Sequence, residues 1–175
     1  DILSESEIKN TDLSKYKSIV AGIRAYNTQE WLPQVKDILM YYVNQGGNYI
    51  VQYNTSSRDL LSDDIGPYPF EISRDRVTEE DAEPPFLRPE NPVFNTPNKI
   101  IMEDFDNWVQ ERGLYFANQW DEKYEAPLGW NDQDEPVRAG GLLIGEFGKG
   151  AFIYTGISFF RELPAGVSGA YRLLA

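Results

Sequence analysis

The sequence predicts an α/β protein with three layers, α/β/α, built on a mostly parallel, doubly wound sheet that ends in an antiparallel hairpin. Three observations predict it. The apolar run SIVAGIR (18–24) is followed by a helix-period stretch from Trp31 and then by a second apolar run, NYIVQYN (48–54), the pattern of a strand–helix–strand unit. Parallel strands joined this way cross over right-handed. Near the other end, two apolar runs flank Gly148-Lys149-Gly150, a turn suited to positive φ and hence to a β-hairpin. At 175 residues and 41% apolar, the chain suffices for one domain with a proper core.

Taken in order, SIVAGIR reads as a strand buried on both faces. Asn27 or Thr28 is placed to cap the next helix, with Glu30 three residues after Asn27 as in a capping box. Trp31, Val35, Ile38, Leu39, Tyr42 and Val43 then recur at helical spacing, and Gly46-Gly47 ends the helix as a left-handed cap. Residues 58–98 read as a Pro-rich acidic insertion within the single domain 1–175, with ten acidic residues between Asp59 and Glu90. Its prolines exclude long helices and central strands. Tyr68, Phe70, Phe86, Val93 and Phe94 would anchor it to the body. Beyond it, Ile101, Phe105, Trp108 and Val109 make a helical stripe closed by Gly113. LYFA (114–117) and APLGW (126–130) are short strands, and 165–175 is a final helix starting near Ser168. The chain starts without Met and stops inside a helical pattern, so it reads as part of something longer.

Charge and two absences narrow the chemistry. The net charge of −12 repels phosphate backbones and anionic lipid, so neither nucleic acid nor a membrane surface is an expected partner. Without Cys there is no thiol nucleophile, thiolate metal site or disulfide; without His there is no imidazole base. No cofactor and no metal are expected. No apolar run approaches the roughly 20 residues of a membrane span, no signal peptide is present, and the composition leaves the compartment open.

Two stretches, YYVNQGGNYIVQYN and FGKGAFIYTGISF, resemble segments of the class I glutamine-amidotransferase-like superfamily, whose sheet is flavodoxin-like, in its trehalose-utilisation-like branch. A wider set, GIRAYNTQEWL, VQYNT, DIGPYPF, WVQERGLYF and FFRELPAGVSGAYRL, resembles the domain C-terminal to the deacetylase part of bacterial PIG-L/LmbE-like proteins. This second resemblance implies a first strand and helix before Asp1, with Asp1-Ile2-Leu3 ending the second strand. It implies the deacetylase domain of the same polypeptide as partner, a zinc site outside this chain, and a periplasmic or extracellular setting. Amidotransferases need a Cys on a sharp turn after a strand and a His–Glu pair. The strand ending Gln52-Tyr53-Asn54-Thr55 carries no Cys and the chain has no His, so that activity is excluded by residue type.

If the sheet is parallel, three strand ends converge on one edge, where open α/β sheets bind ligands. They bring Arg24, Tyr26 and Asn27; Gln52, Tyr53 and Asn54; and Ser158, Arg161 and Glu162. Amides, phenols and arginines suit sugar hydroxyls and pyranose faces; taken singly, Asn27 and Asn54 read first as cap and turn residues, and Arg24 or Arg161 as the partner of a nearby carboxylate. Arg161 beside Glu162 would hold that carboxylate ionised, with Arg172 competing for it. That is a structural corner bordering a ligand edge, with no residue assigned a catalytic role. NDQDE (131–135) lacks the glycine and distant Glu of a calcium loop and reads as a solvated turn. Trp108 reads as core, and Trp120 and Trp130 as the tryptophans exposed for a sugar. The resulting expectation is a non-catalytic accessory domain of an N-acetyl-sugar deacetylase, binding saccharide or docking on the catalytic domain. The alternatives are a hydrolase using two carboxylates from Glu111, Glu146, Glu162, Asp121 and Asp106, or a structural or oligomerisation module, as amidotransferase-like domains are in some sugar hydrolases.

Overall fold

The computed structural model describes all residues, 1–175. Seven strands are formed: β1 (Ser18–Ala21), β2 (Asn48–Gln52), β3 (Phe70–Val77), β4 (Gly113–Trp120), β5 (Tyr124–Glu125), β6 (Leu142–Phe147) and β7 (Gly150–Thr155). The α-helices are α1 (Glu5–Asn10), α2 (Ala25–Thr28), α3 (Lys36–Asn44), α4 (Phe159–Ala165) and α5 (Ser168–Leu174). One five-stranded sheet runs β1-β2-β7-β6-β5, and β3 and β4 pair separately. The β1–β2 and β2–β7 pairs are parallel; β7–β6 and β6–β5 are antiparallel. The sheet is thus parallel on one side and antiparallel on the other, with helices on both faces. No helix is long and apolar enough to cross a membrane.

One face carries Ile19, Tyr49, Val51, Phe152, Tyr154 and Leu143, packed with Ile8 of α1 and Leu39 and Val43 of α3. The strand parity explains the choice, because residues two apart along a strand share a face. The other face is covered over its β6–β7 half by α4, α5 and the 78–112 excursion, through Phe105, Trp108, Leu142, Phe159 and Leu173. Over β1 and β2 this second layer is missing. SIVAGIR is therefore not buried on both faces: its burial alternates, and Val20 is 49% exposed.

Local chemistry accounts for the element ends. Helix α3 closes in a Schellman arrangement, with Gly46 N–H on the Val43 carbonyl (2.9 Å) and Gly47 N–H on that of Tyr42 (3.1 Å); Gly46 has φ +117°. The β6–β7 turn is Gly148-Lys149, with Phe147 opposite Gly150 and φ +65° at Gly148, and Lys149 N–H bonds the Asn44 carbonyl at the end of α3. The predicted cap before α3 is not used. Asn27 lies inside the one-turn helix α2, a 3-10 turn (Leu32–Val35) intervenes, and α3 starts without a side-chain cap.

Three expected elements are not formed, namely the 101–113 helix, the APLGW strand (only isolated bridges at Leu128 and Trp130) and a strand at residues 1–3, while β3 and α4 were not foreseen. The 58–98 segment holds an eight-residue strand, β3, in its proline-free stretch between Pro69 and Pro84; its mate β4 outgrows the predicted LYFA. The 101–113 stripe is no α-helix: a 3-10 turn ends at Phe105, and Asn107 and Gln110 both have φ +59°. The aromatic spacing marked burial rather than a helix, for Phe105 and Trp108 are buried. The final helix is found where expected, as α5 from Ser168, but the helix before it, α4, was not foreseen; the two are divided at Gly166, whose φ of +78° lets Val167 N–H bond the Glu162 carbonyl.

Helix α5 approaches the 102–105 turn so closely that a Cβ at Gly169 would lie 1.7 Å from the Asp104 carbonyl oxygen. Gly169→Ala must push the two apart and should cost about 1–3 kcal/mol. Urea unfolding of the variant checks this, and an unchanged midpoint would contradict the packing.

Candidate functional site

The C-terminal ends of β1, β2 and β7 do converge, but their side chains divide into two groups. The first group builds the edge. Asn54 is fully buried; its Oδ1 accepts from Tyr26 N–H (2.8 Å) and its Nδ2 donates to the Gln52 carbonyl (2.9 Å). Asn27 makes a reciprocal pair with Thr55, donating to its carbonyl (3.1 Å) and accepting from its N–H (2.9 Å). These two amides stitch the loop after β1 to the loop after β2. Tyr26 is also fully buried, with its hydroxyl against that of Tyr49 (3.2 Å), and burial pushes it up to about 12. Asn27, Asn54 and Tyr26 therefore hold loops together, and none presents a free group to a ligand.

Ser158 and Glu162 are sealed as well. Both are fully buried, and Glu162 Oε2 accepts from Val109 N–H (2.9 Å). Glu162 Oε1, Ser158 Oγ and Arg112 Nε have no hydrogen-bond partner within the protein. Burial pushes the Glu162 carboxyl above its ordinary range, while the Val109 amide and the Arg112 guanidinium pull it down less strongly. This overturns the expectation that Arg161 keeps Glu162 ionised. Arg161 instead pairs with Glu111 (3.0 Å), and Arg172 with Asp104 (2.7 Å).

The second group forms the open surface. Tyr115, half-buried, is the aromatic ring at this surface; Tyr53 is buried behind it, only 8% exposed, stacked on Tyr115 with ring centroids 5.5 Å apart at 14° and meeting Phe160 at 5.2 Å. Arg24 is exposed beside it, Gln52 is half-buried, and the Arg161–Glu111 pair closes the rim. Burial raises the Tyr53 phenol, and the nearby Arg24 and Arg161 charges oppose that rise. Next to Tyr115 lies a hollow of about 330 Å³ lined by Ser56, Ser57, Arg74, Arg76 and Leu114. A second hollow, of about 400 Å³, shares Arg76 and Leu114 and adds Thr78, Glu80, Gln110 and Glu111. Strands β3 and β4 thus supply half of the surface, which the three-strand argument missed. The alternation of FEISRDRV was the available signal.

Tyr115 holds this place through an unusual backbone. It occupies a β-bulge, between Leu114 opposite Arg76 and Phe116 opposite Asp75, with φ +56°. Bulky residues rarely adopt that conformation. Its carbonyl accepts from the hydroxyl of buried Tyr154 (2.6 Å), which steadies the bulge from the core.

Other predicted features have structural duties. Asp132 of NDQDE accepts from the N–H groups of Thr78 (2.7 Å) and Glu79 (2.9 Å). Nowhere do three His, Cys, Asp or Glu side chains converge to hold a metal ion. Trp130 is not exposed: it is 1% accessible and donates to the Ala82 carbonyl (3.1 Å). Trp120 is half-buried, and Trp108 is core as expected.

The architecture is that of an α/β/α domain with a mixed sheet, parallel at its β1–β2–β7 end and antiparallel at the other. Among solved structures it is similar to the cytoplasmic protein STM1381 of Salmonella typhimurium LT2, with a TM-score of 0.60, 13% identity and coverage of 99% of this chain and 77% of that one. It is also similar to the cytoplasmic protein STM3548 of Salmonella typhimurium (TM-score 0.52, 18% identity), over 89% of this chain and 64% of that one. A third likeness is to the β-galactosidase of Bacillus circulans sp. alkalophilus (TM-score 0.53, 18% identity), where 90% of this chain spans 23% of the enzyme. At such identities these likenesses establish the fold alone. No protein-family model matches the chain, and neither does any curated protein sequence.

Two outcomes test this division. Asn54→Ala leaves the buried Tyr26 N–H without an acceptor and should cost about 1–3 kcal/mol in urea unfolding. For Glu162, a folded carboxyl held above its ordinary value of 4.5 gives stability that is complete below that value and lost as pH rises through the raised one. Glu162→Gln keeps an acceptor for Val109 and removes the charge. Its unfolding midpoint, compared with that of the native protein, should therefore move in the variant's favour as pH rises above 4.5.

Proposed function

We propose that the chain is a non-catalytic, saccharide-binding accessory domain of a carbohydrate-processing enzyme, of the kind that follows the deacetylase part of PIG-L/LmbE-like proteins. The observation that carries this reading is the half-buried Tyr115 ring, backed by the buried Tyr53 ring at the C-terminal edge of the parallel strands and bordered by Gln52, Arg24 and Arg161. A ring backed by a second ring, with polar groups at its margin, is suited to the apolar face and the hydroxyls of a pyranose. A hydrolase reading is less well supported. Its carboxylates would have to face each other across a cleft, but Glu162 is sealed and Glu111 is tied to Arg161. The fold neighbour named a β-galactosidase adds a carbohydrate context, though at 18% identity it argues for the fold only.

The test is a thermal-shift titration with chitooligosaccharides, their deacetylated counterparts and β-galactosides. A sugar with a Kd near 1 mM, supplied at about 10 mM, should stabilise by about 1.4 kcal/mol, a rise on the order of 3 °C. Tyr115→Ala should abolish the rise; because Tyr115 covers the buried Tyr53 ring, the variant melts lower without ligand, and the sugar-induced shift is read against its own ligand-free melting temperature. No rise with any sugar would sink the reading in favour of a docking or structural module.

A further inference from the structure

The arginines of this protein are unevenly employed. Arg112, Arg138, Arg161 and Arg172 each donate to a carbonyl or carboxylate. Arg24, Arg58, Arg74, Arg76 and Arg88 make no ion pair, in a chain with 28 carboxylates to choose from, and of these Arg24, Arg74 and Arg76 border the Tyr53–Tyr115 pair. Arg74 and Arg76 are exposed and two residues apart on β3, so both project to one side of the strand. The acidic residue between them, Asp75, bonds Arg138 (2.7 Å) and is unavailable to either. Both guanidiniums line the same hollow as Tyr115 and Ser56, whose hydroxyl makes no hydrogen bond within the protein. Glu80 and Glu111 line the adjoining hollow, and Glu111 is already committed to Arg161.

We infer that this hollow is an oxyanion site, in which Arg74 and Arg76 grip a carboxylate or sulfate with Ser56 as an additional donor. Guanidinium groups present planar forks of N–H donors that match such groups. The −12 charge of the whole molecule repels anions at long range, so the arginines act by contact and not by steering. The bulged Tyr115 stands at the wall of the hollow with its ring on Tyr53, so a ligand held by its anionic group would reach the Tyr115 ring. On the saccharide reading above, on which this last step rests, the ligand is an acidic sugar, carrying its charge on a uronic carboxylate or a sulfate ester.

Calorimetric titrations at low ionic strength with oligogalacturonate, with a neutral galacto-oligosaccharide of equal length and with inorganic sulfate test the inference. Oligogalacturonate should bind about tenfold more tightly than the neutral sugar, and the double change Arg74→Gln/Arg76→Gln should remove that preference. Neither arginine side chain bonds the fold, so the double variant should melt as the native protein does. Lys17→Gln/Arg88→Gln, an equal loss of two charges at exposed sites outside the hollow, should keep the preference. Equal affinity for acidic and neutral sugars would overturn the oxyanion site and leave the saccharide reading standing. Binding of sulfate with no added affinity for either sugar would uphold the oxyanion site and sink the saccharide reading. No binding of either anion, or a preference that survives the double change, would overturn the inference.

Discussion

Strand β7 is the constraint to which the rest of the molecule is fitted. It pairs in parallel with β2 and antiparallel with β6, so it is where the sheet changes character. Phe152 and Tyr154 are fully buried on its helix α3 side, each removing a large apolar surface from water, on the order of 2–3 kcal/mol apiece. Its exit, Gly156 to Ser158, is bonded to the start of β4: Leu114 N–H meets the Gly156 carbonyl (2.9 Å), and Ser158 N–H the Arg112 carbonyl (3.0 Å). Through these bonds and the Tyr154 hydroxyl, the strand that organises the core also sets the position of Tyr115 at the surface.

The edge shows how polar residues of similar appearance are given different work. Asn27 and Asn54 face each other's loops and spend their amides on main chain, because a buried loop must satisfy every N–H and C=O. Arginines a few residues away remain without partners. Burial decides between the two fates: an amide enclosed by two loops is matched to the backbone, whereas a guanidinium on an exposed strand has water as its only obligatory partner. Glu162 belongs with the first set. Its carboxylate anchors the 106–112 loop through Val109, at the expense of an ionised state disfavoured by its surroundings.

The elements legible in the sequence were those with a short-range signature. The strands around 18–21 and 48–52, the Gly46-Gly47 stop and the Gly148-Lys149 hairpin follow from local periodicity and turn chemistry. Strand β3 was hidden because the prolines flanking it dominate the segment, although its own alternation is clear. The 101–113 stripe misled because helical spacing of aromatics also arises when irregular backbone, with two left-handed residues, drapes over a core. At the site, the three strand ends were predictable from parallel topology. Which side chains remain free was not, since it depends on partners such as Thr55 for Asn27 and Glu111 for Arg161, distant in sequence. Arg74, Arg76 and Tyr115 enter only through the β3–β4 pairing, a contact between segments separated by the whole 78–112 excursion.

The placement of β7 also fixes an order of events in the making of this protein. In the finished sheet Asn48 lies opposite Ala151, so β2 has only β1 beside it until most of the chain has been synthesised. A nascent chain carrying α3 and the first two strands has an apolar surface and one unfilled strand edge, and nothing yet to complete either. Closing that gap costs the configurational freedom of everything between, which slows folding and extends the period in which the edge can pair with the wrong chain. The sheet that β1 and β2 begin is thus completed only by a hairpin about a hundred residues further along the chain.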